Sequence, residues 1–108
     1  MATETVARPV LTHEHPEVVA DRATRVVTVA GRAVPDLTYL EFELLAHLLE
    51  HTGLVLTRTQ LMWAVWGYDV PGGGRTVDVH VSRLRRKLGE PVRSSLVTIR
   101  RVGYVYRG

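Results

Sequence analysis

Cysteine is absent from the 108-residue chain, which removes disulfides, thiol catalysis and thiolate metal sites together. Lysine is almost absent too: thirteen of the fourteen basic residues are arginine, a side chain suited to bidentate recognition. No apolar run approaches the roughly 18 residues that span a bilayer, so no membrane association is expected. The opening stretch "MATETVARPVLTHEHPEV" lacks the basic-then-apolar layout of an export signal, and the cytoplasm is the expected compartment. There is no internal repeat and no low-complexity tract. What remains is 45% apolar and 23% charged, the balance of an ordinary globular chain. Its length suits one domain with a single core.

The charge is unevenly spread. Residues 1–74 hold five arginines against nine carboxylates, a net of −4, while residues 75–108 hold nine basic groups against two acidic ones, a net of +7. A split of this kind predicts one basic face on an otherwise ordinary domain, and hence an anionic partner.

Residues 1–16 are polar and aperiodic and read as a flexible tail, leaving 17–108 as the folded domain. "EVVAD", "RVVTVA" and "RAVPDLT" are short, Val-rich runs separated by Ala-Thr and Ala-Gly pairs, which predict a small antiparallel sheet. Thr38 and Glu41 stand at capping-box spacing before an apolar stripe (Phe42, Leu44, Leu45, Leu48, Leu49) that Gly53 ends. A second helix is expected after Thr57, turning Leu61, Val65 and Trp66 inward or edge-on. "YDVPGGG" breaks the chain, with its glycines as a hinge. A third helix follows over about 75–88, stopped by Gly89 and Pro91. "SSLVTIRRVGYVYRG" alternates around Gly103 and predicts a β-hairpin over 97–107. The class is α+β, with element order ββ(β)–ααα–ββ.

At ~100° per residue, Val77, Val81, Leu84 and Leu88 form a narrow core stripe on the third helix. Arg75, Thr76, Val79, Ser82, Arg83 and Arg86 lie opposite, with His80 at one margin. A merely solvated face usually mixes charge signs, whereas this one carries only Asp78 against its arginines. The small residues between the arginines allow close approach to base edges in a major groove, where arginine bonds guanine and an apolar group meets the thymine methyl. Arg75 and Thr76 are expected to offer backbone N–H groups to phosphate at the helix start. Arg100 and Arg101, beside a tight turn, form a second cationic element suited to a minor groove.

From Leu37 on, "LTYLEFELLAHLLEHTGLVLTRTQLMWAVWG", "RTVDVHVSRLRRKLG" and "VTIRRVGY" resemble the winged helix-turn-helix effector domain of OmpR/PhoB-type response regulators, over about residues 17–107. The resemblance implies an N-terminal antiparallel sheet, three helices and a C-terminal hairpin wing. It also implies sequence-specific binding of double-stranded promoter DNA, usually by two copies on direct repeats. Position by position, Val79 and Arg83 would read bases with Asp78 assisting. Arg75, Thr76, His80, Arg85, Thr98, Tyr104 and the indole N–H of Trp66 would hold phosphates, and Arg100 would enter the minor groove. The loop 67–74 is where relatives can touch RNA polymerase. Three features depart from the family pattern. The wing reads Arg100-Arg101 where Arg-Gly is usual, so Arg101 is a candidate extra contact. Ser82 replaces a basic residue of some relatives. The ~120 residues that a receiver domain needs do not precede the module, so the expectation is a stand-alone regulator or a fragment of something longer.

Competing motifs are weaker. His47-Leu48-Leu49-Glu50-His51 matches H-x-x-E-H, an inverted zincin signature, but reads as the outward end of a short helix with no evident third ligand. "HEH" at 13–15 falls in the expected tail. "GGGRT" lacks the full phosphate-loop layout and follows no strand. Neither enzyme activity, nor a metal, cofactor or small-molecule substrate is expected. The rival reading is a winged helix that serves as a protein-interaction module, against which the +7 half argues, because interaction surfaces are depleted in charge at their centre.

Overall fold

The computed structural model describes residues 17–69 and 72–108; the expected tail at 1–16, including "HEH", and positions 70 and 71 of the loop 67–74 lie outside the described residues. The three Val-rich runs form a meander of β1 (Val18–Asp21), β2 (Val26–Val29) and β3 (Arg32–Val34), antiparallel and in sequence order. Val18 pairs with Val29 and Asp21 with Val26. The β2–β3 turn is the two-residue pair Ala30-Gly31, with φ of 52° and 80°, the left-handed pair that a tight hairpin favours. β3 is shorter than the run "RAVPDLT" suggested. Pro35 follows it directly and has no N–H for a ladder.

α1 (Tyr39–Glu50) starts on the expected capping box: Glu41 N–H donates to Thr38 Oγ1 at 3.2 Å and Thr38 N–H to Glu41 Oε1 at 3.0 Å. Its apolar stripe is buried in full and forms the centre of the core. Gly53, at φ 87°, turns the chain while its N–H bonds Tyr106 O at 2.8 Å. A short strand that the sequence did not announce, β4 (Leu56–Thr57), comes next. Thr57 then caps α2 (Arg58–Leu61) in a second box with Gln60. The uniform helix expected here widens at once into a π turn over Met62–Trp66, whose last carbonyl bonds are closed by Gly67 N–H on Met62 and Trp63. Leu61, at the end of α2, and Met62, at the start of the widened turn, both stay buried while Trp66 remains half-buried.

α3 spans Gly73–Leu88, two residues more than the predicted 75–88. Only Gly72, at φ 80°, acts as the turn, and Gly73 is buried inside the first helical turn. Tertiary packing thus overrides the poor helix propensity of two glycines. The outermost amides therefore belong to Gly73 and Gly74, and Arg75 N–H bonds Gly72 O at 3.1 Å, which corrects the assignment of the open amides to Arg75 and Thr76. Gly89 ends α3 as expected, and an unannounced turn of helix, α4 (Val92–Ser95), leads into β5 (Leu96–Ile99). The predicted hairpin of β5 and β6 (Gly103–Tyr106) is one part of a three-stranded sheet in the order β4-β6-β5. Every residue of the central strand β6 is buried.

Among the described residues one charged group sits in the core. Glu41 is 1% exposed, and its Oε1 receives Lys87 Nζ at 2.7 Å as well as Thr38 N–H. Lys87 Nζ also donates to Asp36 O at 2.7 Å. Burial pushes the Glu41 carboxyl up, but Lys87 and the Thr38 amide outweigh it and hold the group below its usual value. The chain's one lysine therefore ties the end of α3 to the start of α1. No helix among the described residues is long and apolar enough to cross a membrane.

Candidate nucleic-acid interface

The core stripe of α3 is where the periodicity put it: Val77, Val81, Leu84 and Leu88 are all buried. The opposite face is open, with Arg75, Val79, Ser82, Arg83 and Arg86 exposed and Thr76 and His80 half-buried. Val79 keeps 40% of its surface in solvent, so a β-branched apolar group stands exposed among arginines. At the margin, His80 lies edge-on to Trp66 with ring centroids 4.9 Å apart. Its Nδ1 is 2.8 Å from Thr76 O. A carbonyl can only accept, so Nδ1 carries a proton, and Nε2 is the ring nitrogen not engaged by this bond.

Four of the expected contact residues are tied to the fold: Asp78, Tyr104, Arg85 and Thr98. Asp78 accepts from Arg58 Nε at 2.8 Å and from the Tyr104 hydroxyl at 2.5 Å, both on Oδ1. Tyr104 is only 4% exposed. Burial, then the hydrogen bond to Asp78, push its hydroxyl above the usual 10, so it stays a neutral donor. Arg85 Nη2 donates to Leu96 O at 2.6 Å and to Thr98 Oγ1 at 2.9 Å. The guanidinium carbons of Arg58 and Arg85 lie 5.2 and 5.7 Å from the Tyr104 ring centroid, within cation–π range. These links fasten α3 to α2 on one side and to β5 and β6 on the other. They also neutralise the one carboxylate on the outward half of α3. Arg58, which the sequence reading did not single out, is the hub of this arrangement; a lone arginine after a capping threonine gives no local signal for a partner 20 residues away.

The exposed arginines behave differently. Arg22, Arg25 and Arg58 pair with carboxylates. Among the described residues Arg75, Arg83, Arg86, Arg100 and Arg101 meet none. A guanidinium left in water keeps its donors for an incoming acceptor.

Arg100 and Arg101 form the tip of the β5–β6 turn, closed by Val102 N–H on Ile99 O at 2.9 Å. Arg101 adopts φ 67°, the left-handed conformation that glycine takes without strain. An arginine thus stands where the backbone favours glycine. Arg101→Gly is expected to stabilise the domain by about 1 kcal/mol, read as a rise in melting temperature. A fall would contradict the strain.

The sequence pattern of the family described as "Transcriptional regulatory protein, C terminal" matches residues 31–106. The chain is 43% identical over 86 residues to the uncharacterized transcriptional regulatory protein YclJ of Bacillus subtilis, covering 80% of this chain and 38% of that protein. It is 45% identical over 92 residues to the sensory transduction protein RegX3 of Mycobacterium tuberculosis, covering 82% and 39%. The chain thus spans about two fifths of the length of the curated relatives it matches. The RstA DNA-binding domain of Klebsiella pneumoniae, solved in complex with the RstA box, superposes with a TM-score of 0.77 at 30% identity, covering 87% of this chain and 94% of that one. With helices α1 to α4 between an N-terminal sheet and a wing, and with this match across most of its length, the chain belongs to the family of C-terminal domains of transcriptional regulatory proteins, of the OmpR/PhoB type, and has the winged-helix fold.

Proposed function

We propose that the domain binds double-stranded DNA in a sequence-specific manner and regulates transcription, with α3 in the major groove and the Arg100-Arg101 turn at the adjacent minor groove. The observation that carries this is the contrast on one face. Asp78 is neutralised by Arg58 and bonded by Tyr104, while among the described residues Arg75, Arg83, Arg86, Arg100 and Arg101 are left without carboxylate partners. In this reading Val79 and Arg83, exposed near the middle of α3, read base edges. Ser82 lets the backbone approach closely. Arg75, Thr76, His80, Arg86 and Trp66 surround them and hold phosphates, which position without specifying. Asp78, Tyr104, Arg85 and Thr98 set the angle between helix and wing, and through it the reach of Arg100. The family is one of regulators, not of enzymes. Two copies on repeated half-sites would supply the area that one module lacks, and promoter binding implies the cytoplasm.

Arg83→Ala is expected to cost about 1–3 kcal/mol on the preferred site and to flatten preference at one position. Equal loss on specific and random DNA would remove the base-reading role. Arg75→Ala should weaken all sequences alike and lower the salt slope by roughly 1; mobility-shift titrations at several salt concentrations measure both. On the wing, Arg100→Ala should weaken binding more than Arg101→Gly does. A chain that forms no sequence-selective complex at moderate salt would instead favour an interaction module.

A further inference from the structure

The face of α1 turned toward the β1–β2 hairpin carries Glu43, His47, Glu50 and His51 at helical spacing. Three of these, His47, Glu50 and His51, offer ligand atoms that all lie within 4.8 Å of one another, each residue being half-buried. The two imidazole rings are 4.3 Å apart. We infer that His47, Glu50 and His51 form a binding site for a divalent transition-metal ion of the zinc class, structural or regulatory in use and unconnected with the DNA-reading face. The inference stands whether or not the domain binds DNA.

The chemistry of the donor set fits. Histidines at i and i+4 on one helix face present two imidazole nitrogens to a single ion. His51 Nδ1 lies 2.8 Å from His47 O, so Nδ1 carries the proton and Nε2 keeps the lone pair that a metal can take. An imidazole N–H anchored on a carbonyl is the outer-sphere arrangement that metal-binding histidines use. Donors at 2.0–2.2 Å from a tetrahedral ion stand about 3.4 Å apart, which rotations of these three side chains can reach. The third ligand is the glutamate inside the H-x-x-E-H motif itself, so no distant residue is required. Glu50 is held at present by Arg22, through Nε at 2.6 Å and Nη2 at 3.2 Å. Arg22 also bonds Glu43 at 3.0 Å, so it keeps a carboxylate when the ion takes Glu50. With Glu50 taken up as a ligand and so not free to act as the base that the zincin signature needs, the motif is suited to binding and not to hydrolysis. Zinc sites with three protein ligands keep an open fourth position for water or another donor.

The test is titration of the full-length chain with Co²⁺, followed by its visible absorption, and with Zn²⁺ in competition. A background in which His13 and His15 are both alanine removes the other histidine pair of the sequence. In that background one equivalent should bind. His47→Ala and His51→Ala should each weaken binding by at least about 100-fold, the upper end of what outer-sphere changes cost. Glu50→Gln should weaken it by about 10-fold or more, while Arg22→Ala, which frees Glu50, should tighten it. Unchanged metal-free melting curves would show that the variants fold. Loss of binding on removing His13 and His15 alone, or indifference to His47→Ala, would overturn the site. Indifference to both Glu50→Gln and Arg22→Ala would overturn the three-ligand assignment.

Discussion

Gly103→Ala should destabilise the domain severely. A Cβ at this position would stand 1.9 Å from Leu56 O and 2.8 Å from Thr57 Cα, both backbone atoms of β4, which cannot swing aside as a side-chain tip could. Gly103 pairs with Thr57 on one side and with Ile99 on the other, so the methyl must push β4 off the sheet or drag β6 from its place in the core. Ordinary overpacking costs about 1–3 kcal/mol, and a clash with a backbone carbonyl belongs at or beyond the upper end. At roughly 4–8 °C per kcal/mol for a domain of this size, the melting temperature should fall by some 12 °C or more. A fall of less than about 4 °C would mean that β4 and β6 are not packed as described.

Lys87→Met should be nearly as damaging at neutral pH. The methionine keeps the length of the side chain but leaves the Glu41 carboxylate 1% exposed with no cation beside it. Removing one partner of a buried pair costs about 3–5 kcal/mol, and the 21% exposure of the lysine side chain places this case near 3. The pH dependence has a definite sign. The Glu41 carboxyl is held below its reference value of 4.5 in the folded protein, so its contribution is present above that pH and is lost as pH falls through the lower folded value. The gap between wild type and Lys87→Met should therefore be widest near pH 7 and narrow below about pH 4.5. Glu41→Gln combined with Lys87→Met should recover part of the loss, since no charge is then left buried. Denaturant unfolding at a series of pH values measures all three. A Lys87→Met variant within about 0.5 kcal/mol of wild type at pH 7 would show that the pair is unimportant.

The parts of this fold that were legible beforehand are those written in neighbouring residues. Thr38 with Glu41 and the buried stripe of α1 follow from spacings of three and four, and the core stripe of α3 from the same rule. Ala30-Gly31 and Gly89 marked their turns because the backbone there must be left-handed. What escaped depends on long-range partners. Asp78 looked like an oddly placed acid on a basic face until Arg58 and Tyr104, 20 and 26 residues away, closed on it. Arg85 and Tyr104, assigned to phosphates by family resemblance, hold helix and wing together within the domain. Lys87 carries no local sign of its partner Glu41, which lies 46 residues back. β4 is too short to carry an alternation of its own and exists because β6 offers it an edge. The start of α3 was misplaced because glycine's propensity argues against helix, and only packing around Gly73 reverses it.

The central claim is that an arginine-bearing α3 reads sequence while the wing sets its register. Selection of bound fragments from a random double-stranded DNA pool, run in parallel for the wild-type chain and for Arg83→Ala, tests it most directly. Wild type should enrich one short motif, present twice in the same orientation about one helical turn apart, and Arg83→Ala should lose preference at one position of each copy. A pool that emerges unenriched from the wild-type protein, or enriched identically by both, would contradict the account.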